Sequence, residues 1–174
     1  MNRKETAKRC LMVLMLGAQP LFPAVAATQT GSLAVQMTIT ASCTIGAATL
    51  NFGSIAGPAL QSAPVNQTTT VSVTCTNSTP YSIGMDVGAN ASGSQRRMIS
   101  GGNYINYNLF TDAARLNAWT TGSSSTTCTT AGSCALGTGS GSSASVTIYG
   151  TVPLVVAAPA PGSYSDTVTM TITY

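Results

Sequence analysis

Beyond residue 26 the chain carries three aspartates (Asp86, Asp112 and Asp166), three arginines (Arg96, Arg97 and Arg115) and four cysteines, with no lysine, glutamate or histidine. That inventory leaves little room for catalysis. A Ser-His-Asp triad and a Cys-His pair both need histidine, and a glycosidase of the common kind needs a closely placed carboxylate pair. An aspartate dyad is the one acid–base arrangement left. Asp86 falls on the outward parity of a strand and Asp166 at the start of another, where a carboxylate is ordinarily solvated or hydrogen-bonded to its surroundings. Asp112 and Arg115 lie three apart and would pair locally if that segment turns helically. The chain is read as a non-enzyme that needs no cofactor.

The cysteines point to disulfides. With no histidine and no CxxC spacing, Cys43, Cys75, Cys128 and Cys134 do not form a recognisable metal set. An even number of cysteines in an exported chain can pair. Of the three possible pairings, Cys43 with Cys75 and Cys128 with Cys134 is favoured. The first would tie two distant strands and stabilise by roughly 3 to 4 kcal/mol in the chain-entropy description. The second would close the small TCTTAGSC loop. Trp119, Tyr104 and Tyr107 offer an aromatic platform for a sugar ring, although in a sandwich such residues more often fill the core or its rim.

Export follows from the first residues. Arg3, Lys4, Lys8 and Arg9 form a basic start, Cys10 to Leu16 begins an apolar run broken by Pro20 and Pro23, and Ala24-Val25-Ala26 suits a signal peptidase. Cleavage is expected after Ala26, with Ala27 as the alternative. The apolar run is too short and too interrupted for a transmembrane anchor, and Cys10 lies too far ahead of the cleavage point to carry a lipid. The formal charge of +3 belongs to this segment, because three residues of each sign remain after it. It therefore says nothing about nucleic acid, and a neutral surface is permissive for self-association.

The elements that must position these residues read as strands. Thr68 to Asn77 alternates Val71, Val73 and Cys75 against Ser and Thr; Tyr81 to Val87 alternates Tyr81, Ile83, Met85 and Val87 against smaller residues. Asn77 to Pro80 turns between them. Tyr104 to Phe110 and Ser145 to Thr151 are further candidates. Tyr164 to Tyr174 is the clearest, with Val168, Met170, Ile172 and Tyr174 on one face. Thr120 to Ser145 is read as a loop and Asp112 to Leu116 as a short helical turn. Several short strands with Gly, Ser and Pro between them argue for an all-β Greek-key sandwich over residues 42–174. Ahead of it, Gly31 to Ala41 (GSLAVQMTITA) places Leu33, Val35, Met37 and Ile39 on one face and small or polar residues on the other. It reads as a strand in search of a partner.

The runs INYNLFTDAAR (105–115), LNFG (50–53), VTIYGTVP (146–153) and the ending GSYSDTVTMTITY, in that company, resemble the spore coat protein U domain, and within it the major pilins of archaic chaperone-usher pili. The spacing of TGSLAVQMTITASC (30–43) fits the donor segment and first cysteine of that family. The resemblance implies an immunoglobulin-like sandwich that lacks its last strand and is completed by donor-strand complementation. Residues 27–41 would be the donor segment, with Leu33, Val35, Met37 and Ile39 as its plugs. Val168, Met170, Ile172 and Tyr174 would be the acceptor groove and chaperone-facing edge. The implied partners are identical or related pilins in a head-to-tail filament, a periplasmic chaperone and an outer-membrane usher. The expected route runs through the periplasm to a cell-surface pilus used in attachment and biofilm formation. A soluble secreted binding domain and a minor or tip subunit are the alternatives.

Overall fold

The structure is a computed structural model, and it describes residues 23, 25–119 and 133–174. The expected signal segment and Cys128 lie outside the described residues, apart from Pro23, Val25 and Ala26. The chain divides into two compact units that meet at Thr38 and Ile39. In the first, residues 25–38 form no strand and are exposed throughout.

The second unit is a β-sandwich built from strands whose inward positions are apolar and whose outward positions are mostly Thr and Ser, the composition that fits a half-buried pleated surface. Its strands are β1 (Cys43–Ile45), β2 (Val65–Cys75), β3 (Pro80–Met85), β4 (Arg97–Ser100), β5 (Asn103–Asn106), β6 (Asn108–Phe110), β7 (Ala135–Thr138), β8 (Ser143–Val152) and β9 (Met170–Thr173). One sheet runs β1-β2-β8-β6 and the other β7-β3-β9, with β4 and β5 forming a separate hairpin. Among the described residues all the strand ladders are antiparallel. This order is that of an immunoglobulin-like sandwich in which, among the described residues, nothing flanks β9 on its far side.

The core lies between the sheets. Val71, Val73, Cys75, Leu109, Ile148 and Val152 enter it from one side, and Ile83 and Met85 from the other. Trp119 spans both layers: its backbone N–H donates to the Leu109 carbonyl (2.8 Å) and its indole Nε1 to the Ile83 carbonyl (3.2 Å). Cys43 and Cys75 form a disulfide where β1 and β2 pair residue for residue.

Several expected boundaries change. The 104–110 strand breaks at Tyr107, because β5 pairs with β4 while β6 pairs with β8 in another sheet. The 81–87 strand ends at Met85, and Pro80 is its first residue. The loop expected over 120–145 contains β7 and the start of β8, since Ala135 to Thr138 completes the open side of β3. Asp112 to Leu116 is a short turn, as expected, but a non-helical one with Arg115 in the left-handed region (φ 56°). The 164–174 strand shortens to Met170–Thr173, because the backbone of 165–169 bonds first to Ile99 of β4 and then to Ala89 and Asp86 before the ladder with β3 begins. Finally, the 31–41 strand forms no ladder here.

Candidate functional site

The flank of the sandwich between β1 and β9 is its least finished part. Both strands stand at the margin of their sheets, and they approach each other across the layers at one end. Toward the other end the lead-in to β9 and the segment after β1 diverge around a cavity of about 860 Å³. Leu50, Phe52, Met98, Ile105, Val152 and Tyr164 are among the residues that line it. Together these features make a groove whose wide end is lined by apolar side chains and polar groups in similar measure.

The expected acceptor residues fall along this flank. Val168, Met170 and Ile172 are half-buried and pack against the core, while Tyr174 is 57% exposed. Alternation along the strand explains the row: Tyr164, Asp166, Val168, Met170 and Ile172 are half-buried, and Ser165, Thr167 and Thr169 between them are exposed. The residues of the wide end were not anticipated, apart from the LNFG motif that contains Leu50 and Phe52. Their signal was that motif's alternation just after the first cysteine.

In the other unit, Leu33, Val35 and Met37 are 88%, 84% and 83% exposed, and Ile39, which opens the second unit, is 73% exposed. Single exposed apolar residues are ordinary on protein surfaces, but four in alternate positions of one short segment are not.

The three carboxylates are all engaged. Asp112 accepts from the backbone N–H groups of Asn117 (2.7 Å) and Leu116 (3.2 Å). The bond to Asn117 is the main reason its pKa is lowered. The expected pair with Arg115 is therefore not made, and Arg115 instead lies over the Tyr149 ring. Asp86 accepts at Oδ1 from Gly88 N and Thr169 N, both at 2.9 Å. Burial pushes its pKa up, but these hydrogen bonds and the charge of Arg96 outweigh that and hold it below its ordinary value. Asp166 accepts at Oδ1 from Asn90 N (3.0 Å) and Nδ2 (2.9 Å), and at Oδ2 from the Tyr107 hydroxyl (2.7 Å).

Arg96, which sequence reasoning left without a role, sits among Asp86, Asp166 and Tyr107 and is 3% exposed. Its guanidinium donates to the carbonyls of Asp86 (2.7 and 3.0 Å) and Trp119 (3.1 Å). Desolvation lowers its pKa, and Tyr107, Asp86 and Asp166 pull the other way. Burial and the Asp166 hydrogen bond push the Tyr107 phenol far above its ordinary value. The Arg96-Arg97 pair in a chain so poor in charge was the available signal. The aromatic platform does not exist: Trp119 and Tyr107 are buried, and only Tyr104 reaches the surface, beneath Arg97. Cys134 is buried and disulfide-bonded.

Known proteins and families include several that are similar to this chain. The Spore Coat Protein U domain matches residues 29–171. "Protein U" of Myxococcus xanthus is 34% identical over 167 residues, covering 87% of this chain and 88% of its own length. Among solved structures, a chain of the CsuC-CsuE chaperone-tip adhesion subunit pre-assembly complex, from archaic chaperone-usher Csu pili of Acinetobacter baumannii, is 25% identical with a TM-score of 0.46. That match covers 79% of this chain and spans 40% of the other.

Proposed function

The chain belongs to the Spore Coat Protein U domain family, and from that premise we propose that it is a secreted shaft subunit of a chaperone-usher pilus. In this reading a periplasmic chaperone covers the β1–β9 flank until an outer-membrane usher brings the next subunit. The segment 27–41 of that subunit then pairs with β9. The finished filament stands on the cell surface and serves attachment and biofilm formation.

The observation that carries this reading is a match of two incomplete rows. Leu33, Val35, Met37 and Ile39 share one parity and are exposed, while Val168, Met170 and Ile172 share one parity on a marginal strand and are half-buried. A marginal strand invites addition of another strand, with backbone hydrogen bonds giving affinity and alternate side chains giving fit. Each large plug that leaves water would contribute roughly 1.5 to 3 kcal/mol. Because the donor and acceptor surfaces differ, such a contact is head-to-tail and does not close on itself, so it builds a filament. The chain's neutrality after export removes a barrier to this.

The test is deletion of residues 27–41. The truncated subunit is expected to reach the chaperone but not to add to a preceding subunit. Filaments of normal length from the deletion would contradict the proposal.

A further inference from the structure

We propose that Asp166 sets the register in which the N-terminal segment of a second copy pairs with β9. The inference rests on the donor-segment reading above and adds to it a residue that fixes where the segment stops.

Asp166 interrupts an otherwise apolar row. It shares the inward parity of Tyr164, Val168, Met170 and Ile172, all half-buried. Its carboxylate cannot swing aside freely, because Asn90 holds one oxygen with two hydrogen bonds and Tyr107, 5% exposed, holds the other. Gly88 backs directly onto it, and a Cβ there would collide with the carboxylate. The buried Arg96 lies within electrostatic reach of both Asp166 and Asp86. A fixed charge therefore stands between Val168 and the cavity beside Tyr164.

The donor row has a matching interruption. Its four large residues are flanked at the same parity by Gly31 and Ala41. If the segment pairs antiparallel, as every ladder among the described residues does, one register sets Ile39 opposite Val168, Met37 opposite Met170, Val35 opposite Ile172 and Leu33 opposite Tyr174. Ala41 then faces Asp166, and its methyl leaves the carboxylate accessible.

Other registers are opposed from both sides. A slide of one residue turns the whole apolar row outward. Sliding by two lays Ile39 over Asp166, and sliding by four lays Met37 there, each burying the carboxylate under a large apolar group. The slide by four would otherwise be rewarded, because it carries Ile39 to Tyr164 and the cavity; Asp166 opposes it. Sliding the opposite way brings Cys43 to Asp166, but Cys43 is committed to its own β1–β2 ladder and disulfide.

Disulfide trapping between copies reads the register. Full-length acceptor copies carrying Val168→Cys are mixed with donor copies carrying Ile39→Cys (matched), Met37→Cys (slid by two) or Val35→Cys (slid by four), and dimers are quantified on a non-reducing gel. With Asp166 intact, the Ile39→Cys dimer is expected to dominate. With Asp166→Val in the acceptor, the Met37→Cys or Val35→Cys dimer should rise about tenfold relative to it. Asp166→Asn, which keeps the shape and removes the charge, should shift the ratio in the same direction by less, and it decides the matter if the valine variant does not fold. Unchanged ratios in these variants would overturn the register role while leaving donor pairing standing. Absence of all three dimers with Asp166 intact would overturn the donor reading, and the register role with it.

Discussion

Strands β2 and β9 present inward rows of similar chemistry and bury them very differently. On β2, Val71, Val73 and Cys75 are 0%, 1% and 2% exposed, whereas Met170 and Ile172 on β9 remain half-buried. Residue type does not explain this, because Ile83 on β3 sits directly across the ladder from Ile172 and is 0% exposed. The difference is lateral: β3 has a strand on each side and β9 on one. In the proposed assembly, this half-buried apolar row on a marginal strand is where the neighbour's segment pairs.

Truncating the two facing isoleucines is the most forceful way to break this comparison. Ile83→Ala should cost about 2 to 5 kcal/mol in denaturant unfolding, the range for a filled core position. Ile172→Ala should cost about 1 kcal/mol in the free subunit, since less of its area leaves water. When a peptide of residues 27–41 is bound, the second cost should rise toward the first. Equal costs in the free subunit would mean that β9 is as finished as β3.

A smaller effect sharpens the same contrast through pH. Asp86 fastens the start of β9 by accepting from Thr169 N, and its folded pKa lies below its ordinary value of 3.8. A depressed carboxylate contributes stability above its unfolded pKa and loses that contribution as pH falls through the folded value. Unfolding midpoints should therefore drop as pH is lowered below 3.8, and Asp86→Asn should flatten that decline. An identical decline in the variant would remove Asp86 from its role at β9.

The regular parts of the fold were legible because alternation alone specifies them. Val71, Val73 and Cys75 declared β2, and Pro80 marked the start of β3. The β4–β5 hairpin was missed although its two-residue Gly101-Gly102 turn, with φ of 53° and 89°, is a strong hairpin signal. β7 was missed because Ala135, Leu136, Gly137 and Thr138 alternate only weakly, and what makes them a strand is the open side of β3. The half-buried row of Val168, Met170 and Ile172 was legible by parity, but the cavity was not, since Leu50, Met98, Ile105 and Tyr164 come from segments far apart in the chain. Asp166 was noticed as a structural carboxylate. Its place inside the apolar row becomes meaningful only beside Tyr107, Asn90 and Gly88.

The most direct measurement compares Met37→Asp with Thr38→Asp in assembled material run on an unheated gel. One parity of the donor segment is buried in the proposed contact and the other is not, so a charge at Met37 is stranded in an apolar groove while a charge at Thr38 stays in water. Met37→Asp should abolish the oligomer ladder and Thr38→Asp should leave it intact. Ladders of equal length from both variants, or equal loss in both, would contradict insertion of this segment into a neighbouring sandwich.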